Sequence, residues 1–166
     1  MNALHDLTPL EADVRTLAAA LLARRWMLAS AESCTGGLIA AACTAIAGSS
    51  DWFDAGFVTY SYAAKEAQLG VPHELLMQHG AVSEEVAHAM VEGALARSQA
   101  HVAVAVTGIA GPSGGVPGKP VGTVWFGWGR RDGIVQTECV RFDGDRADVR
   151  GQTAQHALRR ALQIAA

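Results

Sequence analysis

Charge of either sign is scarce in this chain: 13 Lys and Arg stand against 16 Asp and Glu in 166 residues, a formal net charge of −3. The basic residues are scattered rather than striped, so there is no electrostatic footprint for nucleic acid, and no DNA or RNA partner is expected. Long apolar runs are missing as well. No stretch approaches the roughly twenty apolar residues of a membrane-spanning helix. The N-terminal stretch carries Asp6 and Glu11 and lacks the basic start of a signal peptide. The expectation is a cytoplasmic protein with no membrane contact. Cysteine is limited to Cys34, Cys43 and Cys139, with no C-x-x-C pair, which fits a reducing compartment. The six histidines form no H-x-x-x-H or mixed Cys/His cluster, so no metal site is expected. Neither a G-x-G-x-x-G after a strand nor a G-x-x-x-x-G-K-[ST] occurs, which removes the signatures of dinucleotide folds and P-loop ATPases.

What is present is apolar bulk: half of the residues are hydrophobic, enough for one domain over residues 1–166 with a core spanning about 8–164. Thr8-Pro9-Leu10-Glu11 reads as a capping box with proline at the first helical position. A helix with Leu10, Val14, Leu17, Leu21 and Leu22 at helical spacing follows, closing at Arg24-Arg25. Residues 26–31 read as a buried strand, 38–47 as a helix ended by Gly48, and 54–60 as a second strand rich in aromatic and β-branched residues. Two short helices are expected at 63–69 and 72–80. A longer one opens at Ser83-Glu84-Glu85 and ends near Ser98. Residues 101–106 form a nearly continuous apolar run, the pattern of a central strand buried on both faces. Residues 121–129 and 133–142 read as a hairpin, and a last helix covers about 145–164. This order predicts an α/β fold, a three-layer α/β/α sandwich around one mixed sheet.

Two polar loops stand at strand ends, where α/β folds place their ligands. The first runs from Glu32 through Ser33, Thr35, Gly36 and Gly37 into the second helix, where free N–H groups favour an anion or a developing negative charge. Its plainer reading is a helix cap and a glycine-permitted turn. The second begins at Thr107 and Gly108, and residues 108–120 hold five glycines and three prolines.

The strings AESCTGG, IAGSSDWFDAGFVTYSYAAK, HGAVSEEVA, VTGIAGPSGG, KPVGTVWFGW and FDGDR, in this order and spacing, resemble the C-terminal domain of the competence/damage-inducible protein CinA over roughly residues 10–164. Stand-alone members of that family are amidohydrolases of nicotinamide mononucleotide. The resemblance implies hydrolysis of the carboxamide of that nucleotide to nicotinate mononucleotide and ammonia. It also implies no metal or other cofactor, and a homodimer or larger homo-oligomer. Its polar positions are matched by Ser33, Ser50, Tyr60, Lys65, Thr107 and Arg146.

Amide hydrolysis requires a nucleophile, a base, an oxyanion donor and an acid for the departing ammonia. The resemblance favours Ser50 as the nucleophile, activated by Tyr60 and by a Lys65 whose pKa is lowered by desolvation. Ser33 is the competing choice, otherwise an oxyanion or ligand contact together with Thr35, Gly36 and Gly37. Arg146 is expected to meet the 5′-phosphate, or else to pair with Asp143 or Asp148. Thr107 and Gly108 are expected to face the crevice, and Glu32 to orient Lys65 or a ribose hydroxyl. Two other classes stay open: a nucleotide-binding or assembly module without turnover, and an amidase acting on a different carboxamide.

Overall fold

The computed structural model describes residues 6–166. The first helix, α1 (Thr8–Arg24), buries Leu10, Val14, Leu17, Ala18 and Leu21. The expected Thr8 capping box does not form. Leu7 occupies the cap position, and the Asp6 carboxylate, an anionic acceptor, takes the Thr8 N–H at 3.0 Å. At the other end Arg25 turns left-handed, with φ 56°, and the Trp26 N–H returns to the Leu21 carbonyl. Trp26 thus belongs to the helix-closing turn, and the first strand starts two residues later than expected, as β1 (Leu28–Glu32).

Next come α2 (Leu38–Thr44), a single 3₁₀ turn (Ser49–Asp51) and β2 (Phe53–Val58). The helix expected at 63–69 is split. A short α3 (Tyr62–Ala64) passes into a π-helical turn over Lys65–Leu69, closed by left-handed Gly70. Such wide turns are rare and are frequent at functional sites. Then follow α4 (His73–His79), α5 (Glu84–Ala96, capped by the Ser83 hydroxyl), β3 (Val102–Gly108), β4 (Thr123–Arg130), β5 (Val135–Arg141) and α6 (Arg146–Ala165). Asp145 and Asp148 close a reciprocal capping box on α6.

The sheet has five strands in the order β2-β1-β3-β4-β5. The first three are parallel, with Glu32 opposite both Val58 and Val106. The last two form the expected antiparallel hairpin. The mixed sheet and its helical layers are the predicted ones. Leu28, Val102, Val104, Val106 and Phe126 face α1, α2 and α6, whereas Ala29, Ala31, Ala103 and Ala105 face α5. Side-chain alternation explains that division. The alanine face admits α5 very closely: a Cβ on Gly127 would stand 2.8 Å from the Ala87 carbonyl oxygen. β3 is buried on both faces from Val102 to Val106, as its apolar run predicts. Among the described residues no helix is long and apolar enough to cross a membrane.

The parallel register has one outcome that matters for function. β1, β2 and β3 all end at the same sheet edge, so Ser33, Thr59 and Thr107 emerge side by side. The Ser33 N–H donates to the Val106 carbonyl at 3.0 Å and the Thr59 N–H to the Glu32 carbonyl at 2.8 Å.

Candidate active site

At the end of β1, Glu32 is fully buried. Its carboxylate accepts from the Thr35 hydroxyl at 2.7 Å, the Ser30 hydroxyl at 3.1 Å, and the N–H groups of Gly37, Ile39 and Ala40 at 3.0, 3.1 and 2.8 Å. The N-terminus of α2 is therefore satisfied by a carboxylate lying beneath it. This corrects two expectations. Glu32 neither orients Lys65 nor reaches a ribose site, because all its capacity is spent on its own loop. Thr35 and the Gly37 N–H are likewise occupied, and the Gly36 N–H closes a turn on the Ser33 carbonyl at 3.1 Å. The glycines serve conformation: Gly36 and Gly37 have φ of 59° and 98°, values that L side chains rarely adopt.

Ser33, the next residue, is nearly buried, and the fully buried Lys65 lies behind it. Lys65 Nζ is 2.9 Å from Ser33 Oγ and donates to the Thr59 carbonyl at 2.5 Å. The π-helical turn carries this lysine inward from a segment that otherwise runs along the surface. Burial pulls its pKa from the ordinary 10.5 down to about 8, where a neutral amine is accessible near physiological pH. Among the described residues no carboxylate pairs with Nζ, and only the neighbouring Cys34 opposes that shift. Cys34 also faces the crevice, but burial pushes its thiol up to about 12, so it is a thiol and not a thiolate nucleophile.

In front of Ser33 opens a crevice of about 270 Å³ whose walls include Tyr60, Ala81, Thr107, Gly108, Gly111 and Arg146. Arg146 donates to the Gly111 carbonyl at 2.8 Å and to the Tyr60 hydroxyl at 2.9 Å. Those two bonds leave most of its donors free. Its partners are therefore the crevice wall and not Asp143 or Asp148. Tyr60 is 63 % exposed and its hydroxyl is held by Arg146, so it makes no direct relay between Lys65 and a serine. The Thr107 hydroxyl donates to the Ala81 carbonyl at 2.8 Å, tying the end of β3 to the loop ahead of α5.

Ser50 is not part of this group. It is exposed on the 3₁₀ turn that precedes β2, whereas Tyr60 follows β2. The six residues of β2 hold the two ends about 20 Å apart. Ser50 therefore stands at the opposite sheet edge, and the expected Ser50–Tyr60–Lys65 set is not assembled in this chain. Roomier clefts of about 630 Å³ along α5 and about 740 Å³ at that opposite edge contain neither Ser33 nor Lys65. Among the described residues no three His, Cys, Asp or Glu side chains stand close enough to hold a metal ion.

Two contributors escaped the sequence reading. The Thr59 carbonyl carries no sequence signature. Arg150 donates to the Cys34 carbonyl at 3.2 Å and to the Thr35 carbonyl at 2.9 Å. It follows Arg146 by four residues, on the same face of α6, and that spacing was its one available signal.

Comparison with known proteins agrees with this architecture. Residues 11–165 match the family model of the CinA C-terminal domain. The chain is 58 % identical over 147 residues to the nicotinamide-nucleotide amidohydrolase PncC of Enterobacter agglomerans, covering 89 % of this chain and 90 % of that one. It is 60 % identical over 136 residues to the protein of the same name from Pseudomonas putida, covering 81 % and 84 %. A crystal structure of a CinA superfamily protein from Klebsiella pneumoniae superimposes with a TM-score of 0.89 at 40 % identity, over 99 % of this chain and 98 % of that chain. The chain belongs to the CinA C-terminal domain family.

Proposed function

We propose that this protein hydrolyses the carboxamide of nicotinamide mononucleotide to nicotinate mononucleotide and ammonia, with Ser33 as nucleophile and Lys65 as base. One observation carries the reading: the buried 2.9 Å contact between Lys65 Nζ and Ser33 Oγ at the base of the crevice. The names of the relatives from Enterobacter agglomerans and Pseudomonas putida supply the substrate.

Neutral Lys65 takes the Ser33 hydroxyl proton as Oγ bonds to the carboxamide carbon and the carbonyl π electrons move to oxygen. The tetrahedral intermediate collapses with cleavage of the C–N bond, and Lys65 returns the proton to the departing ammonia. An acyl-serine remains. Water, deprotonated by the same lysine, then attacks it and releases the carboxylate product and the serine. Arg146, at the rim with donors to spare, is placed to receive the 5′-phosphate.

The test is ammonia release from nicotinamide mononucleotide by purified, chelator-treated protein, beside Ser33→Ala, Lys65→Met and Ser50→Ala. Loss of about 10³-fold or more in kcat is expected for the first two variants. Ser50→Ala should stay within about twofold of the parent, being remote from the reacting groups. Full turnover in folded Ser33→Ala would overturn the mechanism, and no release by the parent would overturn the substrate.

A further inference from the structure

The eight residues Ser33–Ala40 form the turn that presents the reactive hydroxyl, and their N–H groups can be accounted for one by one. Ser33 donates to Val106, Gly36 to Ser33 and Leu38 to Thr35 carbonyls. Gly37, Ile39 and Ala40 donate to the Glu32 carboxylate. The Thr35 N–H donates to no backbone or side-chain acceptor among the described residues, and the Cys34 N–H meets only its own thiol. These are also the two residues that follow Ser33, and Cys34 lines the crevice.

Arg150 binds the opposite end of one of these peptide units. The Thr35 N–H shares its peptide with the Cys34 carbonyl, whereas the Cys34 N–H shares its peptide with the Ser33 carbonyl, which accepts from Gly36. Arg150 Nε and Nη2 hold the carbonyls of Cys34 and Thr35. The Cys34–Thr35 peptide is trans, the described cis bond being at Gly111-Pro112, so its N–H points away from its carbonyl. With the Cys34 carbonyl drawn to Arg150, the Thr35 N–H is turned away from α6 and cannot swing toward it. A cation on the carbonyl also polarises the peptide and strengthens its N–H as a donor. Arg146 and Arg150, one turn apart on α6, thus divide the labour: the first borders the crevice and the second braces the turn beneath it.

We infer that Arg150 is a positioning residue for amide hydrolysis, orienting the free Thr35 N–H after Ser33 toward the developing oxyanion. This rests on the amidohydrolase reading above. Preorganised donors aimed at a tetrahedral oxyanion act on the transition state more than on the bound substrate. Misorienting them therefore lowers turnover and leaves substrate affinity in place.

Ammonia release from nicotinamide mononucleotide over a range of concentrations tests this with Arg150→Lys and Arg150→Gln, after circular dichroism confirms the fold. The expected order of kcat is parent, then Lys, then Gln, with Gln lower by about 10- to 100-fold and KM changed by less than about threefold. The midpoint of the kcat–pH profile should not move, since the lysine base is untouched. A kcat within twofold of the parent in folded Arg150→Gln would overturn the inference, as would a loss confined to KM. Unfolding of both variants would assign Arg150 to the fold and overturn it too. An inactive parent would sink the functional reading itself, an outcome the variants cannot mimic.

Discussion

Lys65 Nζ lies 2.9 Å from Ser33 Oγ, in a buried contact at the base of the crevice. The pair joins residues 32 positions apart in the chain, and each is delivered by an unusual local conformation. Ser33 sits on a turn that glycines with positive φ make possible, and Lys65 opens a π-helical turn. A buried amine beside a buried hydroxyl is costly for stability and useful for proton transfer, so it yields sharp expectations.

Turnover should rise with pH through about 8, because the neutral form of Lys65 is the base and its pKa is lowered to about 8 by burial. The check is kcat for nicotinamide mononucleotide from pH 6 to 10. A profile flat across that range would show that this lysine does not carry the proton.

Stability should follow the same group with a determinate sign. The pKa of Lys65 is depressed on folding from 10.5 to about 8, so between these values the unfolded chain binds the extra proton and stability rises with pH. Below pH 8 the full cost applies, about 3 kcal/mol at 1.36 kcal/mol per unit. Lys65→Met should therefore gain most over the parent at pH 7, and its advantage should shrink toward pH 10. Urea unfolding of both proteins at pH 7, 8.5 and 10 measures this. A gap that widens with pH would contradict the assignment.

Glu32→Gln should destabilise the fold without being a catalytic lesion. The carboxylate accepts five hydrogen bonds, and an amide nitrogen in place of one oxygen would face donors. A cost of about 2–4 kcal/mol is expected, or roughly 5–15 °C in melting temperature. Calorimetry reads the shift. An unchanged melting temperature would mean the α2 terminus does not depend on this carboxylate.

Arg146→Ala should raise KM far more than it lowers kcat, as loss of a phosphate contact remote from the carboxamide requires. The same variant should bind nicotinamide riboside, which lacks the phosphate, about as well as the parent does. Competition kinetics with the two compounds make the comparison, and an unchanged KM would remove the phosphate role.

Local pattern determined much of this protein on its own. The alternation of apolar runs and helical periodicities marked the elements, because strand and helix periods arise within a few consecutive residues. The β3 run declared a central strand since a strand covered on both faces has no polar side to display. The misreadings have equally local causes. Thr8 was displaced as a cap by a nearby carboxylate, and Trp26 was claimed by the turn that closes α1. What only the tertiary structure decided was which polar residues meet. Ser33 and Ser50 both flank strands, but parallel register sends the residues after β1 and those before β2 to opposite edges of the sheet. Glu32 was polar and beside the loop, yet its direction was set by the N–H groups of α2. Arg150 became visible only when α6 packed across that loop. Proximity across the sheet depends on register and on which strand end a loop leaves, and neither is encoded in the spacing of residues along the chain.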